Sequence, residues 1–159
     1  MSFEFDTGQV CLNGHLITGD IADGTDTKHC SKCGESTVTA CQHCGTPIRG
    51  DRTYSGSFSF IERMTVQAYC HECGKPFPWT ERAIAAAKEL ADEVDDIDDD
   101  DRQRAKDSFI ALVSDTPQTT VAVARIRKLL SKASPMLRDG LKDVLVSIAT
   151  EAAKKGLGF

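Results

Sequence analysis

The fold of the first half of this chain is decided by three strings of one pattern: Cys30-Ser31-Lys32-Cys33-Gly34, Cys41-Gln42-His43-Cys44-Gly45 and Cys70-His71-Glu72-Cys73-Gly74. Two cysteines separated by two residues place two sulfur atoms on one tight turn, which is half of a tetrahedral zinc site. The glycine that follows tolerates the positive φ with which backbone amides turn toward the sulfur atoms. The strings therefore predict three zinc knuckles.

A fourth half-site is predicted at Cys11-Leu12-Asn13-Gly14-His15. Asn13-Gly14 is a turn dipeptide, so the two end residues can face each other across it. The chain has seven cysteines, and Cys11 is the one that the three strings leave over. The remaining histidines lie inside a Cys-x2-Cys pair or directly before one, where they are badly placed to complete the same tetrahedron: they are His29, His43 and His71.

These donors are enough for two closed sites, and sequential pairing is the arrangement we favour. It gives a first site of Cys11, His15, Cys30 and Cys33 and a second site of Cys41, Cys44, Cys70 and Cys73. Each would be a zinc ribbon, and the β-prone segment 36–40 can run from the first ribbon into the second. The alternative is a cross-brace, in which the first half-site joins the third and the second joins the fourth.

The number of donors also predicts what two zinc ions would do. A catalytic zinc keeps one position open for water, whereas four protein ligands per ion leave none, so we expect both ions to be structural. A redox role would instead require one Cys-x2-Cys pair at a helix start. Residues 1–78 have few and scattered large apolar residues, and metal would compensate for the small core.

Composition and charge narrow the classes of function. The chain has 159 residues, of which 40% are hydrophobic and 27% charged, and its formal net charge is −5. An acidic protein is a poor default candidate for binding nucleic acid. No apolar run reaches about 18 residues, so no membrane span is expected. The first residues lack the pattern of a secretory signal, so we expect a cytoplasmic protein whose reduced thiols bind metal.

We predict an α+β fold in two domains: tandem zinc ribbons of short β-hairpins at residues 1–78, and about four helices at residues 79–159. The helices are expected at 81–94, at 99–113, from Thr116-Pro117 onward, and from Ser134-Pro135 to Gly156. Thr80 is the expected N-cap of the first helix, with Trp79 packed on Ile84 as a hydrophobic staple. Residues 65–69 are predicted to form the strand that enters the last knuckle.

Two charged segments stand out in the helical half. The stretch 89–101 has nine acidic and no basic residues, and it lacks the glycine and final glutamate of a calcium-binding EF-hand loop. We interpret residues near 92–101 as a solvated acidic linker whose last aspartates favour a helix N-terminus. Residues 125–155 carry eight basic and three acidic residues. They are either a solvated face, or neutralised by the acidic segment, or a docking surface for an acidic partner.

A basic and aromatic surface is a further candidate site in the ribbon half. Its members are Arg49, Arg52, Arg63, Tyr54, Phe58 and Phe60. Arginines interleaved with aromatic residues are the feature of this chain that is nearest to a nucleic-acid-binding signature. We favour the simpler interpretation that the aromatic rings cover the small core and the arginines are solvated, because Asp51 and Glu62 dilute the charge.

Several strings resemble those of a known family. They are Cys-x-Asn-Gly-His at residues 11–15, Lys28-His29-Cys30-Ser31-Lys32-Cys33-Gly34, Pro-Ile-Arg-Gly at 47–50, Cys70-His71-Glu72-Cys73-Gly74-Lys75-Pro76-Phe77-Pro78-Trp79-Thr80-Glu81, and residues 147–155. Together they are similar to a bacterial family of small double-zinc-ribbon proteins of unknown function. The resemblance covers nearly the whole chain and implies zinc ligands at the eight positions of the two sites. It implies no activity.

The function that these patterns favour is a non-enzymatic, cytoplasmic adaptor that holds a protein partner or a second copy of the chain. No Ser-His-Asp pattern, phosphate-binding loop or open metal site is visible in the sequence, so we expect no enzyme. The alternative is a nucleic-acid-binding zinc-ribbon regulator that uses the basic and aromatic surface.

Overall fold

The structure is a computed structural model that describes residues 2–56 and 58–159. It divides into two compact units, one ending at Trp79 and one spanning Thr80–Phe159. The first unit carries two small antiparallel sheets and the second carries helices. The predicted α+β class is therefore confirmed.

The first sheet has three antiparallel strands in the order β1-β5-β6. The strands are β1 at Ser2–Thr7, β5 at Arg49–Ser55 and β6 at Phe60–Glu62. In the register of the first pair, Phe3 lies opposite Tyr54 and Phe5 lies opposite Arg52. β1 is an element that we did not predict from the sequence.

The second sheet has the order β3-β2-β4. Its strands are β2 at Gln9–Cys11, β3 at Leu16–Thr18 and β4 at Thr37–Val38. The strand predicted at residues 65–69 is wrong, since only Tyr69 forms a β-bridge, with Pro76. Ala68, in the same segment, is bonded to the chain that follows the last knuckle: the Phe77 amide donates to the Ala68 carbonyl at 3.0 Å.

The core of the first unit is small and includes cysteine. Its buried members are Val10, Cys41, Ile48, Met64, Cys70, Phe77 and Trp79. The rings of Phe77 and Trp79 stack at 4.5 Å, and the indole Nε1 donates to the Gln67 carbonyl at 2.8 Å. Trp79 is thus a member of the ribbon core.

Five α-helices follow in the described residues. They are α1 at Pro78–Asp92, α2 at Asp99–Leu112, α3 at Gln118–Lys132, α4 at Pro135–Ile148 and α5 at Glu151–Leu157. The largest side chains buried completely in this unit are Phe109, Leu112, Ile126, Leu129, Leu141 and Leu145. Their helical spacing confirms the aliphatic stripes that the sequence shows.

Two predicted helix starts are wrong. The first helix begins at Pro78, so Thr80 lies inside its first turn and is no N-cap. Proline is favoured at this position because an N–H group in the first helical turn has no acceptor within the helix, so nothing is lost when it is absent. The third helix begins at Gln118 without a side-chain cap, so Thr116 is no N-cap. The Thr119 hydroxyl, inside the first turn, instead accepts from the Thr116 amide and donates to the Ser114 carbonyl.

The fourth predicted helix is two helices. α4 ends at Ile148, and the extended backbone of Ala149 leads to Thr150, whose side chain caps α5. The Thr150 amide donates to the carbonyl of Leu112 at 2.9 Å, which fixes the break. The expected end at Gly156 is also wrong, because the left-handed residue after α5 is Gly158, with φ +82°.

Gly156 has another structural role, inside α5. A Cβ atom at this position would lie 3.1 Å from both Cγ atoms of Val123 in α3, which is closer than ordinary packing allows. The absence of a side chain therefore permits the two helices to approach each other.

Three carboxylates of the acidic segment form ion pairs within the helical unit. Lys106 pairs with Asp92, Arg102 with Asp99, and Lys128 with Asp101. Asp98 caps α2 by accepting from the Asp101 amide at 2.9 Å. Lys128 belongs to the basic stretch 125–155, so one cation of that stretch forms an ion pair with the acidic segment. In the part of the chain that the structure describes, no helix combines the length and apolar character needed to cross a bilayer.

Candidate metal centres

The three knuckles share one backbone geometry. In each, the amide of the glycine donates to the carbonyl of the first cysteine at 2.8–2.9 Å. The first cysteine's own amide donates to the carbonyl of the residue directly after that glycine, which closes the turn: the acceptors are Glu35, Thr46 and Lys75. The glycines Gly34, Gly45 and Gly74 have φ between +70° and +75°. The positive φ inferred from the sequence is thus present at all three.

The fourth half-site is a tight β-turn. The Gly14 amide donates to the Cys11 carbonyl at 2.8 Å, and the Cys11 amide donates to the His15 carbonyl at 3.0 Å. Gly14 has φ +85°, and a Cβ atom there would lie 3.0 Å from the Cβ of Trp79. The Asn13-Gly14 turn therefore brings the thiol and the imidazole to the same side, next to the ribbon core.

The structure brings the first four predicted donors together. Cys11 Sγ lies 3.4 Å from His15 Nδ1 and 3.8 Å from Cys33 Sγ, and Cys30 Sγ lies 3.5 Å from the same nitrogen. A tetrahedral zinc ion with Zn–S of about 2.3 Å and Zn–N of about 2.0–2.1 Å requires S···S distances of about 3.8 Å and S···N distances of about 3.5 Å. The donor set fits that geometry.

The second four donors are the cysteines of the other two knuckles. Cys41 Sγ lies 3.8 Å from Cys73 Sγ, and Cys44 Sγ lies 3.7 Å from Cys70 Sγ. These are again the edges of a tetrahedron around an ion with Zn–S of about 2.3 Å. In both clusters all donor atoms lie within 4.8 Å of one another. Both are potential metal sites.

The arrangement of the donors is sequential. Cys11 and Cys30 share one cluster, and Cys41 and Cys70 share the other, so a cross-brace does not match this geometry. The competing histidines belong to neither cluster: His29, His43 and His71 are exposed.

Burial differs systematically within each knuckle. The first cysteine is buried in all three, at 3% exposure, whereas the second is exposed at Cys33 and Cys44 and half-buried at Cys73. The Glu35 amide lowers the pKa of Cys33 to about 6, and the Thr46 hydroxyl lowers the pKa of Cys44 to about 6. Each cluster therefore has one cysteine that is largely thiolate at neutral pH, which is the form that binds metal.

Cys11 shows the opposite tendency. Burial raises the pKa of its thiol, so the neutral form is favoured unless a positive charge lies beside it. A bound divalent cation supplies that charge and deprotonates a coordinating thiol outright. The His15 amide, which donates to Cys11 Sγ at 3.3 Å, stabilises the thiolate further.

The structure gathers part of the predicted basic and aromatic surface on one face of the first sheet. Tyr54 and Phe60 stack with ring centroids 4.4 Å apart. The guanidinium of Arg52 lies 4.9 Å from the ring centre of Phe5, and that of Arg49 lies 4.7 Å from the same centre. Cation–π contacts at these distances are attractive. We expected the predicted aromatic rings to cover the ribbon core, and this is wrong: Tyr54, Phe58 and Phe60 do not belong to that core.

Two predicted members differ from the others. The guanidinium of Arg63 pairs with the carboxylate of Asp51, which is 3% exposed and also accepts from the Met64 amide. Phe58 lies between β5 and β6, 85% exposed. Phe3 and Phe5 also belong to this surface and were not predicted, although their alternation with acidic residues is the period-two signal of a strand.

Two small sheets that carry two four-donor clusters, followed by helices, define an α+β protein with two potential metal centres. The chain belongs to a bacterial family described as "Uncharacterized protein conserved in bacteria (DUF2321)", which matches residues 4–157. No curated protein and no solved structure matches the chain significantly. The family resemblance found in the sequence is confirmed, and it brings no activity with it.

Proposed function

We propose that this protein is a non-enzymatic interaction module of the bacterial cytoplasm, in which two structural zinc ions fold a surface that binds another protein. The observation that carries the proposal is the first sheet, whose large apolar side chains are turned to solvent. They are Phe3, Phe5, Phe60 and Ile61, with Phe58 beside them. A group of exposed aromatic residues on a rigid support is typical of an interaction site.

The two zinc ions would stabilise the fold and take no part in a reaction. Each cluster supplies four protein donors, so a tetrahedral ion has no position left for a substrate or water. Structural zinc sites contribute an apparent binding free energy of about 10–16 kcal/mol, which becomes folding free energy. The small core of the first unit explains why such a contribution is needed.

Nucleic-acid binding is the second candidate, because arginines stacked on aromatic rings also suit single-stranded nucleic acid. Charge makes it the weaker one. Arg52 lies 3.1 Å from the Glu62 carboxylate, and Arg63 pairs with Asp51. With these cations already paired and a net charge of −5, little positive charge remains for phosphates.

A site-specific photo-crosslinker in the living bacterium tests the proposal. The crosslinking residue replaces Phe58 beside the exposed sheet, and the matched control replaces Met136, which is 79% exposed in the helical unit. We expect a discrete protein adduct at position 58 that is absent at position 136. Adducts that disappear with nuclease would favour the second candidate, and adducts that are equal at both positions, or absent, would refute the proposal.

A further inference from the structure

The outer edge of β1 has no strand partner among the described residues. β1 pairs with β5 on one side, and no other strand of the described residues pairs with Ser2–Thr7. Such an edge presents backbone N–H and C=O groups that an added strand can bind. β1 has six residues, whereas the opposite edge strand, β6, has three. β1 therefore offers the longer template.

The two sides of β1 differ in chemistry. Successive side chains of a strand point to opposite faces, so Phe3 and Phe5 share one face and Glu4 and Asp6 share the other. An added strand would therefore place alternate residues beside aromatic rings and beside carboxylates. This alternation defines a sequence pattern for a ligand.

The aromatic side of β1 is held in place by arginines. The guanidinium of Arg52 lies 5.3 Å from the ring centre of Phe3 and 4.9 Å from that of Phe5. The two phenyl rings also contact each other edge to face at 5.7 Å. Rings that are already ordered lose less conformational entropy when a ligand binds.

The acidic side of β1 selects the charge of the ligand. Glu4 is exposed, and Asp6 accepts a hydrogen bond from the Thr53 hydroxyl at 3.3 Å. Opposite charges on facing residues of neighbouring strands stabilise a sheet, and like charges destabilise it.

A second copy of the chain fits this edge poorly. In an antiparallel pair of β1 strands that keeps the aromatic residues on one face, Glu4 and Asp6 of one copy lie beside the same carboxylates of the other. The charge pattern therefore disfavours self-pairing.

We propose that β1 binds an extended segment of a partner protein in which basic residues alternate with apolar ones, and that this segment joins the first sheet as an added strand. The apolar residues lie beside Phe3 and Phe5, and the basic residues lie beside Glu4 and Asp6. The inference rests on the proposed function as a protein-binding module and names the kind of partner.

The test uses the full zinc-loaded chain and two capped seven-residue peptides, one alternating lysine with valine and one alternating glutamate with valine. We expect the lysine peptide to bind about tenfold more tightly, since two facing carboxylates each discriminate between the charges. Hydrogen exchange of the backbone amides should slow within residues 2–7 when it binds. The variant Glu4→Lys should lose most of the preference, whereas Glu89→Lys, an exposed charge reversal in α1, should retain it.

Equal affinity for the two peptides, binding of neither, or protection outside residues 2–7 would overturn this inference. So would a dimer protected at the same residues, or displacement of the lysine peptide by a thymidine oligonucleotide. A protein adduct at position 58 together with any of these results would leave the interaction module standing and remove only the strand-addition mode. Zinc content, measured for each variant, shows whether the ribbons are folded.

Discussion

The ribbon unit and the helical unit have different kinds of core. The ribbon core contains two buried aromatic residues and few aliphatic ones, with Cys41 and Cys70 among its buried members. The helical core is built from Phe109 and branched aliphatic residues at helical spacing. The difference teaches which unit would need metal: coordination at the two clusters would compensate for the small ribbon core, whereas helices with wide apolar stripes have no such need.

Removal of the metal should have the largest effect on this contrast. With a strong zinc chelator we expect the ribbon unit to unfold, because each site would lose about 10–16 kcal/mol of apparent binding free energy. The helical unit should keep its structure. Amide hydrogen exchange resolved along the full chain measures both at once. Protection that persists in residues 30–48 after complete chelation would contradict a metal-dependent fold.

Removal of one ligand should separate the two centres. We expect His15→Ala to reduce the zinc content from two ions to one per chain, since a three-cysteine site has an incomplete tetrahedron. His43→Ala is the control, because this exposed histidine lies within a knuckle but outside both clusters, and it should keep two ions. Elemental analysis gives the counts. Two ions retained by His15→Ala would show that the fourth half-site is wrong.

Truncation of the largest buried side chain should destabilise the helical unit without loss of metal. Phe109 is completely buried in α2, and Phe109→Ala should lower the free energy of unfolding by about 3–5 kcal/mol. Chemical denaturation monitored by helical circular dichroism measures the change. The exposed residue Val146 provides a control, since Val146→Ala should change stability by less than about 0.5 kcal/mol. Zinc released by Phe109→Ala would mean that the two units do not fold separately.

A smaller effect is expected at the contact between α3 and α5. Gly156→Ala would place a methyl group 3.1 Å from the Val123 side chain, and overpacking of this kind costs about 1–3 kcal/mol. The double variant with Val123→Ala should recover part of the loss, because it removes the atoms that clash. A single variant more stable than the parent would indicate that the helices separate freely.

The ribbon half shows how much a sequence can predict when chemistry fixes spacing. The donors of both clusters follow from Cys-x2-Cys turns and one leftover pair, because structural zinc sites typically take their donors in closely spaced pairs. The short strand β4 was anticipated because the segment 36–40 between two knuckles is β-prone. β1 was not, since its only signal is the alternation of Phe3 and Phe5 with acids, and its partner β5 lies more than 40 residues away.

The helical half shows where periodicity stops being informative. The apolar spacing of Leu137 through Ala152 continues without interruption, yet the helix is interrupted at Ala149, whose backbone is extended. The break depends on a hydrogen bond from the Thr150 amide to Leu112, a residue of another helix. A tertiary contact of this type leaves no mark on local hydrophobic pattern, although Thr150 before Glu151 is a legitimate capping signal. Helix boundaries are therefore the part that required the structure.

The position of Trp79 allows the two units to be followed by different spectroscopic signals. The chain has one tryptophan and two tyrosines, and Trp79, Tyr54 and Tyr69 all lie in the ribbon unit. The indole stacks on Phe77 and donates to a backbone carbonyl, so its emission reports on the packing of the ribbon core. The helical unit, Thr80–Phe159, contains no tryptophan or tyrosine and contributes most of the far-ultraviolet dichroism. In one unlabelled chain, tryptophan fluorescence therefore follows the ribbon unit and far-ultraviolet dichroism mainly follows the helical unit.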